Sequence, residues 1–228
     1  SLGGGAVLVE EFRDGVEFTV EGCAGKEGHV SLCISQKSHY EHRLMVADAL
    51  VYSPVHPEYD YAALRDLNDR VVGALGLPFG LTHAEYKWIG AEFQLVEIAA
   101  RGCGTWVTSH LVPALTSVDQ YPYYLSAALG ESPLIPRASL GRCGALDFLH
   151  FPTGCVRSIE GLESVRAMPG VLKAGLNFAA GQMIPEPTDD TNRAGYCLTV
   201  ADTCAELDDL RAQVRETVRV NYEDTHAD

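Results

Sequence analysis

Two glutamates and an arginine carry the strongest chemical signal in this chain of 228 residues. The segment Gly80-Leu81-Thr82-His83-Ala84-Glu85-Tyr86 is followed by Leu95-Val96-Glu97-Ile98-Ala99-Ala100-Arg101-Gly102-Cys103-Gly104. Side chains alternate along a strand, so His83 and Glu85 share one face of a strand over 80–88. Phe93, Leu95 and Glu97 share one face of a second strand over 92–99. A tight connection at Ile89-Gly90-Ala91, with a turn centred on Ala91, makes Glu85 and Glu97 direct cross-strand neighbours, with Cβ atoms about 5 Å apart. Two carboxylates this close repel unless they share a cation. Magnesium takes carboxylate and phosphate oxygens. Arg101 stands four positions after Glu97, and its planar fork suits a carboxylate or phosphoryl group. Gly102 and Gly104 allow backbone N–H groups to approach an anion ahead of a helix start. The plain alternative is a polar hairpin face with solvated glutamates and a surface ion pair. His83 is either a donor near the metal or a half-buried histidine bonded to a carboxylate.

The elements that must hold these residues follow from periodicity. Residues 7–22 read as a strand opening a hairpin. Val16, Phe18 and Val20 lie on one face, and Glu17, Thr19 and Glu21 on the other. A turn at Gly25–Gly28 precedes a second strand over 29–35. Residues 36–58 are polar and His-rich and read as a loop with a short extended piece at 50–52. Lys37 and Arg43 are basic residues of that loop able to reach phosphates. Leu64, Leu67, Val71 and Leu75 mark a helix over 60–75, stopped by Gly76 and Pro78. Helical stretches follow at 105–116 and 119–129. After Ser132–Pro136 the texture changes to strands at 144–151, 154–158, 171–178 and 195–201. A last helix over about 204–220 opens with Thr203 and Glu206 in capping-box spacing. The expected fold is α+β. An antiparallel sheet with packed helices fills residues 1–140, and a small α/β domain fills residues 141–228.

Composition narrows the function classes. Lys and Arg number 17 against 31 Asp and Glu, a formal charge of −14. Such a chain is repelled by phosphate backbones and anionic lipid, so nucleic acid and membrane are not expected partners. No apolar stretch approaches the roughly 20 residues of a spanning helix. The opening Ser1-Leu2-Gly3-Gly4-Gly5 has no signal-peptide pattern. The seven cysteines include no C-x-x-C pair, so reduced, mostly buried thiols in a cytoplasmic setting are expected.

Taken together, Glu85, Glu97 and Arg101 resemble the metal-binding glutamates and phosphate- or substrate-binding arginine of the ATP-grasp superfamily. The opening Val7-Leu8-Val9-Glu10-Glu11-Phe12, then Gly15-Val16-Glu17-Phe18, is similar to that family's adenine hinge. Thr82-His83-Ala84-Glu85, the segment Glu97–Gly104, Val118-Asp119 and the stretches 154–162, 169–171 and 192–196 resemble the L-amino-acid ligase branch. The resemblance covers residues 7 to about 220. It implies an ATP-dependent carboxylate–amine ligase that forms an amide through an acyl phosphate, with small-molecule carboxylate and amine substrates. It implies Mg²⁺, or Mn²⁺ in its place, on Glu85 and Glu97. Glu10, Glu11 and Phe12 would sit at the adenine edge, Glu17 on the ribose hydroxyls, Gly102 and Gly104 beside the phosphates, and Arg101 and His83 at the reacting groups. Ala99 departs from the asparagine many members carry there, Ser117 from a glycine, and Pro113 interrupts the preceding helix. The family places an α/β domain and a first ATP-grasp subdomain before the hinge. A C-terminal part is therefore expected, inactive alone, whose partner is the rest of the same protein, a complementary subunit or a second copy. The contrasting expectation is a non-catalytic ATP-grasp-like binding or assembly module.

Overall fold

A computed structural model describes residues 9–40, 43–136, 138, 141–189 and 192–223. Strands β1 (Val16–Gly25), β2 (Gly28–Tyr40) and β3 (Arg43–Tyr52) lead into helix α1 (Tyr61–Leu75). Strands β4 (Gly80–Ile89) and β5 (Glu92–Ala99) form the second hairpin. A π-helical turn (Val107–Leu111) runs into α2 (Val112–Thr116), followed by α3 (Gln120–Ala128). The remainder is β6 (Cys143–Leu149), β7 (Gly154–Glu160), α4 (Leu162–Arg166), β8 (Val171–Leu176), β9 (Met183–Ile184), β10 (Gly195–Ala201), α5 (Cys204–Thr217) and β11 (Arg219–Tyr222). Eight strands make one antiparallel sheet in the order β5-β4-β1-β2-β3-β6-β10-β8, and β11-β7-β9 make a small second sheet. The large sheet crosses the expected boundary at 140 without a break, because β3 pairs with β6 from Ala49↔Asp147 to Tyr52↔Gly144. Among the described residues no helix is long and apolar enough to cross a membrane.

The sheet's two faces differ in chemistry. Phe18, Val20, Ile34, Ala84 and Tyr86 point to one side and pack against Tyr61 and Leu64 of α1. That helix is sharply bounded. Asp60 accepts from the backbone N–H groups of Ala62 and Ala63, and Gly76 closes the helix in the left-handed region. The opposite face of β1 carries Glu17, Thr19 and Glu21, all buried. Beside that polar strip lies a second core, where Leu111 and Leu115 pack with Leu50, Tyr52, Leu146 and Leu198.

Several expectations need correction. The strand expected from residue 7 begins at Val16, and Val7 and Leu8 lie outside the described residues. The polar stretch 36–58 is not mainly loop. Strand β2 runs through Lys37 and His39 to Tyr40, and β3 returns from Arg43. Lys37 and His39 line the grooves of the site, so their polarity reports the site and not solvent. His42 and the Arg43 side chain lie outside the described set. The final helix ends at Thr217 because Val218 turns extended and feeds β11. Two of the seven cysteines, Cys143 and Cys204, are joined as a disulfide and are not free thiols. It ties the start of β6 to the start of α5.

Candidate active site

Strand pairing builds the site row by row. In one row Ser35, Thr19, Glu85 and Glu97 stand side by side across β2, β1, β4 and β5. The next row holds Cys33, Glu21, His83 and Ala99. On the other side Lys37 and Lys87 flank Glu17. Two bulges set these rows. Val96 is an extra residue between Leu95↔Tyr86 and Glu97↔Glu85. The turn itself is the two residues Gly90-Ala91, both at positive φ, and is not centred on Ala91. Without the bulge Glu97 would share a face with Phe93, which packs against Trp88 and Phe18. With it, Glu97 moves to the polar face. Leu32 plays the same part in β2, lying between Gly22↔Ser31 and Glu21↔Cys33. That extra residue brings Lys37 opposite Glu17.

A cleft of about 430 Å³ is lined by Thr19, Lys37, His83, Glu85, Glu97, Arg101, Cys103, Gly104 and Thr105, with Leu146 and Phe148 arriving from β6 and Arg193 from the segment before β10. A second groove of about 540 Å³ is lined by Glu10, Glu11, Phe12, Glu17, Lys37, His39, Glu85 and Lys87. The two share Lys37 and Glu85, which makes them neighbouring parts of one surface.

Electrostatics hold the shared residues in place. The Lys37 ammonium donates to Glu17 Oε1 and to Glu85 Oε2 at 3.1 Å. Burial works against its charge, yet Glu85 and Glu17 together raise its pKa. Burial also works against the Glu85 carboxylate, but His83 and Lys37 outweigh it and hold the group at about 2. His83 Nδ1 lies 2.9 Å from Glu21 Oε1, and Nε2 lies 3.5 Å from Glu85 Oε1. Burial opposes the imidazolium, and the Glu21 carboxylate overrides it, so the pKa of His83 rises far above the ordinary range. The Glu21 carboxylate thus favours the imidazolium form of His83. His39, 3.4 Å from Glu17, is instead pushed below the usual imidazole range by burial.

The structure brings Glu85, Glu97, Arg101, His83 and Gly104 to the cleft, and Glu10, Glu11, Phe12 and Glu17 to the adjoining groove. Arg101 is exposed and donates to the Gly102 carbonyl at 3.0 Å. Glu11 is paired with Arg13 at 3.2 Å. Gly102 has a packing reason of its own, since a Cβ there would sit 2.4 Å from Thr108 Oγ1. It is not among the cleft-lining residues. Gly104 faces open space. Sequence reasoning left Lys37 without a fixed role, read His39 as a solvated histidine of a loop, and put Glu21 on the polar strand face without a role. Glu21 shares the parity of Glu17, a signal that was readable. The bulge at Leu32 has no sequence mark, so Lys37 opposite Glu17 was not.

The fold is ATP-grasp-like, a large antiparallel sheet with few helices. Its later part is similar to one family model. Residues 147–223 match the family model described as L-amino acid ligase C-terminal domain 2. The chain superposes on the crystal structure of L-amino acid ligase from Bacillus licheniformis with a TM-score of 0.80 and 21% identity, covering 93% of this chain and 53% of that one. It superposes on phosphoribosylglycinamide synthetase from Anaerococcus prevotii with a TM-score of 0.78 and 14% identity, covering 93% and 55%. An uncharacterised protein of Sinorhizobium fredii, y4rH, is 26% identical over 212 residues, which are 93% of this chain and 43% of that protein. The chain thus spans about half the length of these relatives.

Proposed function

We propose that this chain is the C-terminal part of an ATP-dependent carboxylate–amine ligase, acting through an acyl phosphate on amino-acid substrates. The observation that carries the reading is the placement of Glu85 and Glu97 side by side in one cleft that also receives Arg101. The likeness to L-amino acid ligase supports the same reading. Residues 1–140 would supply the ATP-grasp part and residues 141–228 the small C-terminal unit, a division in keeping with a family match that begins at 147.

The donor set fits the implied metal. Glu85 and Glu97 offer only carboxylate oxygens, which suit a hard cation such as Mg²⁺ or Mn²⁺. When bound, that ion supplies charge neutralisation at phosphate oxygens. The groove holding Glu10, Glu11 and Phe12 would take the adenine, and Glu17 the ribose hydroxyls. Lys37 then stands between ribose and phosphates and donates to phosphate oxygens. The substrate carboxylate attacks the γ-phosphorus and ADP leaves. The amine nitrogen then attacks the acyl carbon, loses a proton and expels inorganic phosphate. Arg101 and the His83 imidazolium donate hydrogen bonds to the oxygens that gain charge in these steps. Glu21 keeps His83 protonated and oriented.

Isothermal titration with ADP in the presence of Mg²⁺ tests the reading. Saturable binding is expected for the wild type and a loss of about tenfold or more for Glu97→Gln, with unchanged melting. Equal affinity in the two proteins contradicts it.

A further inference from the structure

The floor of the cleft holds a second group of ligand atoms, different in kind from the two carboxylates above it. Glu21 from β1, His83 from β4 and Cys103 from the segment after β5 each offer one atom, and these lie within 4.8 Å of one another. Glu21 is 1% exposed and His83 is 6% exposed. The two Glu21 oxygens are treated very unequally. Oε1 accepts from Tyr52 Oη at 3.2 Å and Thr19 Oγ1 at 3.3 Å, and it meets His83 Nδ1 at 2.9 Å. Oε2 is buried, with no hydrogen-bond partner among the described residues. The Glu21–His83 ion pair accounts for Oε1 and leaves Oε2 unexplained. A buried carboxylate oxygen without a partner is costly, and nothing else in the row relieves it.

The chemistry of the set selects a cation. Carboxylate oxygen, imidazole nitrogen and cysteine sulfur together are donors that Zn²⁺ and similar borderline ions accept. Magnesium and calcium take oxygen and shun sulfur. The charges balance, since a carboxylate, a thiolate and a neutral imidazole offset a divalent ion. Access exists, because Thr19, His83 and Cys103 all line the cleft. Three protein ligands and an open side are the pattern of a site that retains one exchangeable position.

We propose that Glu21, His83 and Cys103 form a three-ligand site for one thiophilic divalent cation of the Zn²⁺ class, at the cleft floor and separate from the Glu85–Glu97 locus. Occupation exchanges the imidazolium beside Glu85 for a metal whose free position faces the cleft. The inference stands on these three side chains and does not depend on the ligase reading.

Cobalt is the probe. The chain is stripped with a chelator and titrated with Co²⁺ in excess Mg²⁺, so that oxygen-only sites are filled. A near-ultraviolet thiolate-to-cobalt charge-transfer band is expected, saturating at one equivalent, and one equivalent of Zn²⁺ removes it. Cys103→Ser should abolish the band and weaken Zn²⁺ binding by about tenfold or more, with its melting curve confirming a folded protein. Cys155→Ser, which alters the other half-buried free thiol, should keep the band. Glu21→Gln should weaken binding to a similar degree, and Cys103→Ser carries the test if that variant does not fold. No band in the wild type, or a band that survives Cys103→Ser, overturns the proposal.

Discussion

Glu85 and Glu97 are direct cross-strand partners because Val96 bulges out of β5. One inserted residue turns Glu97 from the aromatic face, where Phe93 packs, to the face that carries Thr19, His83 and Lys37. The consequence is a row of like charges held together by a neighbouring cation. Lys37 reaches Glu85 from β2, two strands away.

Lys37→Met tests that arrangement. Lys37, Glu17 and Glu85 are all largely buried, with side chains 15%, 8% and 19% exposed. Removing the ammonium leaves Glu17 with His39 at 3.4 Å and Glu85 with His83 at 3.5 Å, both longer contacts than those to Lys37. A destabilisation of about 3 kcal/mol is expected from urea unfolding. Added Mg²⁺ should restore more stability to the variant than it adds to the wild type. An unchanged midpoint would show that the ion pairs are slack.

His83 gives a pH signature. Its folded pKa is raised because Glu21 holds the imidazolium, whereas the unfolded chain releases that proton near about 6.5. The native state therefore binds the extra proton above that point. The stabilisation is complete below about pH 6.5 and declines as pH rises, with a slope of about −1.4 kcal/mol per pH unit. Urea unfolding of the metal-free chain between pH 6 and 8 should show this slope in the wild type and lose it in His83→Gln. Parallel pH profiles for the two would contradict the assignment.

How much of this was legible in the sequence depended on local signals. Helix α1 was readable because Asp60, Gly76 and an apolar stripe agree. The hairpin around Gly90 was readable from alternation. The pairing of Glu85 with Glu97 was anticipated for a partly wrong reason. The turn is one residue shorter than supposed, and the Val96 bulge makes up the difference. The long ends of β2 and β3 were missed because strand patterning expects apolar residues on a buried face. Here that face carries Lys37 and His39, which pair with Glu17, and Glu21, which pairs with His83. Sequence alternation shows which residues share a strand face. It does not show which polar faces are closed over by other strands.

The disulfide makes a separate prediction. Cys143 and Cys204 are 61 residues apart, and closing a loop of that length stabilises by about 4 kcal/mol in the chain-entropy model. A reducing agent should lower the melting temperature of the wild type and leave that of Cys204→Ser unchanged. Equal sensitivity in both would place the effect elsewhere.

Ala91 offers a smaller test. It occupies φ 72° in the two-residue turn between β4 and β5, beside Gly90 at φ 59°. A left-handed alanine costs roughly 1 kcal/mol, and glycine escapes that cost. Ala91→Gly should therefore stabilise the chain by about 1 kcal/mol in urea unfolding. Destabilisation would argue against the turn.

The most direct test of the central claim is diffraction from crystals of the chain grown with Mn²⁺ and ADP, with data collected to reveal anomalous scattering. The account predicts a manganese peak in contact with the carboxylates of both Glu85 and Glu97. Bound nucleotide with manganese held away from these two side chains, or the two carboxylates turned to opposite faces of the sheet, would contradict it.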